Sequence, residues 1–146
     1  MRKRFWLESG RVFAVVDTGR LYAAIDTDDL DHARSVAALG RADLRLVIPA
    51  LVIAETTYLV GSRLGAKIEA RFLRSLRDVD IEAPTADDWV RIGELVERYA
   101  DFPLGGTDAS VIALAERLEA GVVFTLDRRH FGAVRPRHVK SLRLLP

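Results

Sequence analysis

Cysteine is absent from this 146-residue chain, which removes disulfides, thiolate metal sites and a cysteine nucleophile together. Histidine is scarce. His32, His130 and His138 show no H-E-x-x-H spacing, so a zinc-hydrolase reading has no support. Any metal must then sit on oxygen or histidine ligands, and a hard cation on carboxylates stays open. An excess of one charge is missing too, because 22 Lys and Arg against 21 Asp and Glu leave a formal net charge of +1. That balance argues neither for a strongly basic nucleic-acid binder nor for an acidic tail. The basic start MRKRFWLESGRVF lacks an apolar run of signal-peptide length, and no other segment approaches a membrane span. A cytoplasmic protein without membrane association is the expectation. There is no repeat, low-complexity tract or internal domain boundary.

What is present suffices for one ordinary domain, since 49% of the residues are hydrophobic. The pattern places that domain at residues 12–146, with residues 1–11 as an N-terminal extension. Val12 to Val16 (VFAVV) is a continuous apolar run short enough to be a strand buried on both faces, and it ends at Asp17. Thr18 and Gly19 read as a turn into a short helix over Leu21 to Ile25. A polar loop with Asp26, Asp28, Asp29 and Asp31 lacks the glycine and terminal glutamate of an EF-hand, which makes these acids loop and cap residues. A second helix is expected over Leu30 to Leu39, closed by Gly40. Leu44 to Ile48 gives another strand, and Pro49 to Leu64 a helix ended by Gly65. Within it Glu55 stands among Leu51, Val52, Tyr58 and Leu59, so the spacing carries this carboxylate inward with the core face. Glutamate is almost never fully buried unless paired, so this position calls for a partner.

Ala66 to Leu76 reads as an amphipathic helix, and Val79 to Ala83 as a short edge strand. Thr85 offers an N-cap with Asp88 three residues on, and Trp89, Ile92, Val96 and Tyr99 recur at helical spacing as a core stripe. The loop ADFPLGG then delivers GTDASVIALAERLEAGVVFTLDRRHF, a helix, a glycine turn and a buried strand, with Asp108 opening the helix and Asp127 closing the strand. The tail after Asp127 contains no acid and carries Arg128, Arg129, Arg135, Arg137, Lys140 and Arg143, with a last strand expected near His138 to Leu144.

Strands alternating with helices favour a mainly parallel central sheet covered on both faces, an α/β fold. On such a sheet Asp17 and Asp127 end strands, and Glu55 and Asp108 lie near helix starts on the same edge, where α/β proteins bind ligands. Each acid has a simpler account: Asp17 as a cap, Asp108 as a partner of the helix dipole, Asp127 as a turn acid. Four carboxylates meeting at one edge would raise each other's pKa values, so as a cluster they make sense chiefly as a divalent-metal site.

The segments VVDTG (15–19), IPALVIAETTYLV (48–60), YADFPLGGTDASVIALAERL (99–118) and TLDRRHF (125–131) resemble the motif regions of PIN-domain proteins, in particular VapC-type toxins of bacterial toxin-antitoxin pairs. The resemblance runs from about residue 12 to the C-terminus and is most specific in its last two blocks. It implies a three-layer α/β/α fold and a Mg²⁺- or Mn²⁺-dependent ribonuclease, dimeric and held inactive by a small antitoxin. Carried over by position, Asp17, Glu55 and Asp108 match the core metal-binding acids and Asp127 the more variable fourth. Thr18 matches a hydroxyl that steadies the site, and Asp101 ranks as a lesser neighbour. Gly19 and Arg20 depart from the family pattern, with Arg20 adding a cation close to the site.

The chemistry expected is metal-assisted phosphodiester hydrolysis. Something basic must offset the repulsion between RNA and the acids, and the tail beginning at Arg128 and Arg129 is the candidate for phosphate contacts. Two other readings remain open at this point. One is a PIN-like domain that docks RNA or a partner without cleaving. The other is a phosphoacceptor receiver domain, which would want paired acids beside the first strand and a late lysine, for which Lys140 is the only candidate.

Overall fold

A computed structural model describes residues 12–145; the extension proposed for residues 1–11 lies outside them. Five parallel strands form one sheet in the order β3-β2-β1-β4-β5: β1 (Val12–Val16), β2 (Leu44–Pro49), β3 (Ile81–Glu82), β4 (Val122–Phe124) and β5 (Arg143–Leu145). Among the described residues seven α-helices flank it: α1 (Thr18–Ile25), α2 (His32–Leu39), α3 (Ala50–Leu64), α4 (Ala66–Ser75), α5 (Ala86–Arg98), α6 (Gly106–Leu118) and α7 (Arg128–Ala133). The result is an α/β/α arrangement. Among the described residues no helix is long and apolar enough to cross a membrane.

The central position of β1 follows from its composition. Ala14, Val15 and Val16 are wholly buried, as befits a parallel strand covered on both faces. β1 pairs with β2 on one side and β4 on the other, so the order of the sheet reverses beside it. A crevice opens at such a switch point outside the carboxyl ends of the strands. The register sets Val16 opposite Phe124, which delivers Asp17 and Thr125 to that crevice side by side.

The helix boundaries refine the sequence expectations. Thr18 and Gly19 are already helical rather than a turn, because Asp17 takes the N-cap position and its carbonyl accepts the Leu21 N–H at 3.1 Å. Gly65 ends α3 at φ 88°, a conformation that favours glycine, and starts α4 directly. Thr85 and Asp88 form the reciprocal capping box, with the Asp88 N–H on the Thr85 hydroxyl at 3.1 Å and the Thr85 N–H on the Asp88 carboxylate at 3.0 Å.

Three expectations are corrected. The buried stripe of α5 is Asp88, Ile92 and Leu95, whereas Trp89 is 53% exposed and Val96 also faces out. Apolar residues at helical spacing occur on both sides of this helix, and packing against α6 selects the Ile92–Leu95 side. The last strand is Arg143–Leu145 rather than a stretch from His138, because the segment before it crosses the amino edge of the sheet, where the His138 ring meets the Ala120 carbonyl. Finally, Arg20 is fully buried. Its guanidinium donates to the Ser35 hydroxyl at 2.9 Å and the Leu145 carbonyl at 3.4 Å, tying α1 to α2 and β5. Burial lowers its pKa, and the nearby Arg34 adds to that effect.

The orientation of α5 is testable with two truncations. Leu95→Ala should cost about 2–5 kcal/mol by opening a cavity, whereas Trp89→Ala should stay within about 0.5 kcal/mol. Urea melts that reversed this order would refute the orientation.

Candidate active site

Asp17 follows β1 directly, and its N–H donates to the Phe124 carbonyl at 2.9 Å, so the β1–β4 ladder fixes its backbone. Its side chain is only 5% exposed. The Thr125 hydroxyl donates to Asp17 Oδ2 at 2.9 Å and accepts the Asp127 N–H at 2.9 Å. One hydroxyl thereby joins the ends of two adjacent strands. Burial is the largest influence on Asp17 and pushes its pKa up to about 6. The Thr125 hydrogen bond and the Thr18 N–H pull it down, while the Asp108 and Asp127 carboxylates push it further up.

Asp108 lies in the first turn of α6, half-buried. Partial burial raises its pKa most, followed by the charge of Asp127 and, more weakly, Glu55; His130 and the Gly105 N–H act the other way. Asp127 caps α7, its Oδ1 accepting the His130 N–H at 3.0 Å while its Oδ2 lies 2.6 Å from His130 Nδ1. A carboxylate can only accept there, so that nitrogen carries the proton.

Asp17, Glu55, Asp108 and Asp127 line one cavity of about 470 Å³, together with Thr18, Gly19, Leu59 and Leu126. Glu55 is exposed at its edge, contrary to the inward placement expected from its apolar neighbours. The buried stripe of α3 is Val52, Thr56 and Val60, and Glu55 sits one residue off it. Thr18 is buried beside Asp17, and its Oγ1 has no hydrogen-bond partner among the described residues.

Asp101 occupies the exposed turn before α6 and does not line this cavity. Arg128 and Arg129, exposed on α7, follow Asp127 directly. The rest of the basic tail serves elsewhere. Arg137 pairs with Glu94 at 3.0 Å and its N–H donates to Glu116, while Arg143 opens β5 at the opposite, amino edge of the sheet. Lys140 precedes that same edge, which leaves the receiver-type reading without its lysine. Arg20, turned inward, adds no cation to the cavity.

An all-oxygen set of acids around a cavity has the chemistry to suit a hard divalent cation. The elevated Asp17 pKa and the unpartnered Thr18 hydroxyl fit the same group, since a positive charge would relieve the first and a coordinated water could engage the second. Among the described residues, however, no group of three or more His, Asp or Glu side chains is already arranged to hold an ion. The acids surround the cavity rather than converge on a point. Thr125 and His130 are the participants that spacing did not single out. A threonine two residues before a strand-ending aspartate was the available signal for the first, and a histidine three residues after that aspartate, at capping distance, for the second.

Comparison with known proteins agrees with the fold. The family model of the PIN domain matches residues 14–135. Ribonuclease VapC26 of Mycobacterium tuberculosis is 35% identical over 124 residues, covering 84% of this chain and 92% of that protein. Among solved structures, VapC20 of Mycobacterium tuberculosis, a sarcin-ricin loop cleaving toxin, aligns with a TM-score of 0.71 at 22% identity, covering 87% of this chain and 98% of that one. VapBC2 from Rickettsia felis, bound to a DNA fragment from its promoter, aligns at 0.67 with 17% identity, covering 92% and 100%. At these identities the two structures bear on the fold alone.

The raised pKa of Asp17 has a definite sign in stability. The folded protein binds the Asp17 proton more tightly than the unfolded chain, so the contribution is full below about pH 4 and is lost as pH rises through about 6. In EDTA, Asp17→Asn should gain about 2–3 kcal/mol relative to wild type between pH 4 and pH 7 in denaturant melts. A pH-independent difference would refute the shift. Thr125→Val should move the Asp17 pKa higher still and Thr125→Ser should keep it, as read from carboxylate NMR titration.

Proposed function

This chain belongs to the PIN-domain family, and on that footing we propose that it is a Mg²⁺- or Mn²⁺-dependent endoribonuclease, the toxin of a toxin-antitoxin pair. The observation that carries this reading is the meeting of Asp17, Glu55, Asp108 and Asp127, from four separate segments, around one cavity at the switch point of the sheet. Nuclease activity also follows from the similarity to a named ribonuclease over most of both chains. The antitoxin partner is supported by the VapBC complexes among the structural neighbours, and a homodimer is the assembly expected with it.

Asp17 and Asp108 are the central ligands in this proposal, Glu55 reaches in from the edge, and Asp127 supports them while fixed by His130. When bound, the divalent ion supplies Lewis acidity and positive charge to a phosphodiester reaction. The protein's part is positional. Thr125 holds the Asp17 carboxylate in one orientation, and Thr18 offers a hydroxyl to the same cavity. Arg128 and Arg129, exposed on α7 directly after Asp127, are the cations that would offset the repulsion between the acids and a polyanion.

Cleavage of single-stranded and stem-loop RNA with Mg²⁺, with Mn²⁺ and in EDTA tests the proposal. Asp17→Asn and Asp108→Asn should lower the rate by about 100-fold or more while the proteins stay folded. Cleavage that persists in EDTA would sink the metal mechanism. RNA binding without cleavage by the wild type would instead select the non-catalytic PIN-like reading. Expression in cells should arrest growth, and co-expression of the cognate antitoxin should restore it.

A further inference from the structure

The loop between α5 and α6 is fastened to both halves of the acid site. Gly105, at its end, is the N-cap of α6, in whose first turn Asp108 lies, and its N–H lowers the Asp108 pKa. Phe102, near its middle, meets the His130 ring edge-on at 5.2 Å, and His130 in turn holds Asp127. The Phe102 N–H donates to the Tyr99 carbonyl at 3.0 Å, and the Tyr99 hydroxyl accepts the Arg135 N–H at 3.0 Å, so the loop is also tied to the segment after α7. The guanidinium of Arg129 lies over the Phe102 ring, 5.3 Å from its centroid.

Arg129 is two residues from Asp127, yet among the described residues no ion pair holds it. Each Asp127 oxygen takes one hydrogen bond from His130, and Arg129 lies over the Phe102 ring instead. A cation–π contact with an aromatic face leaves guanidinium N–H donors that no carboxylate has claimed. Those donors match the oxygens of a phosphate in a bidentate fork. A guanidinium captured by a carboxylate would have spent them.

We propose that Phe102 is a positioning residue that presents Arg129 to a phosphate of bound RNA beside the acid cavity. This rests on the ribonuclease reading for its ligand and deepens it by assigning which cation meets the backbone and what aims it. Arg129 makes the contact, and Phe102 restricts its long side chain before RNA arrives, reducing the entropy lost on binding.

Binding of a fluorescent single-stranded RNA, measured by anisotropy in EDTA over a series of salt concentrations, tests this without turnover. Arg129→Ala should weaken binding and reduce the log–log salt slope by about 0.7, the loss of one phosphate contact on a single strand. Phe102→Leu should weaken binding about two- to five-fold, the range of an exposed cation–π contact, and Phe102→Tyr should restore it. In an Arg129→Ala background Phe102→Leu should have no further effect. An equal loss in that background would mean that the ring touches RNA directly and would overturn the positioning role. Should Phe102→Leu fail to fold, the exposed Arg129→Gln decides alone, and an unaltered salt slope overturns the proposal. A wild type that cleaves RNA while every variant binds as it does removes this inference and leaves the ribonuclease intact. A wild type that neither binds nor cleaves RNA removes both.

Discussion

A buried carboxylate at the end of the central strand is the constraint on which the rest of the site depends. Asp17 is held out of water by the β1–β4 ladder and its flanking helices, and it cannot relax outward without breaking the bond from its N–H to Phe124. Uncompensated, such a charge favours its neutral form, as the rise of its pKa to about 6 expresses. Thr125 offsets part of this cost by donating its proton to Asp17, and its lone pairs accept the Asp127 N–H. The bond that steadies the first acid therefore also sets the chain direction leading to the last one. A strained acid held this firmly is destabilising to the fold and is retained where function requires it.

Much of this was legible in the sequence, for physical reasons that differ from residue to residue. The apolar run VFAVV announced a strand buried on both faces, and such a strand must be central, which fixed the importance of the residue that ends it. The capping box of Thr85 and Asp88 was readable because it is local, needing only three residues of spacing. Glu55 and Trp89 were misplaced because periodicity gives the apolar character of a helix and not the azimuth at which its neighbours cover it. On α3 the covered line runs through Val52, Thr56 and Val60, and on α5 through Ile92 and Leu95, each beside the line expected. Arg20 was misplaced for a related reason. Its partners, Ser35 and Leu145, lie 15 and 125 residues away, and no local pattern foretells a long-range bond to a backbone carbonyl.

The basic tail illustrates how topology redistributes a linear cluster. Six cations follow Asp127 without an intervening acid, yet β5 pairs in parallel with β4, so the chain must return to the amino edge before the strand begins. The crossing carries Arg137 to Glu94 and Glu116 and leaves Arg143 at the far end of the sheet from the acids. Only the cations reached before that crossing, on the short helix α7, share an edge with the carboxylates. A tail that is uniformly basic in sequence is thus divided by the fold into a local pair near the site and a remainder carried away from it.

Asp127 shows why capping and site roles need not compete. As the N-cap of α7 it satisfies a helix donor, and the His130 ring fastens its second oxygen. An ionised carboxylate has about four lone-pair positions, so two hydrogen bonds from one side leave acceptor capacity towards the cavity it lines. Its orientation is therefore determined by α7 before any ligand is present. The neighbouring acid feels that fixed charge, because Asp127 follows only burial among the influences raising Asp108. A helix of six residues contributes little stability by its own propensity. Its value here lies in holding one carboxylate still, and in projecting beside it a cation, Arg129, that lies over the Phe102 ring.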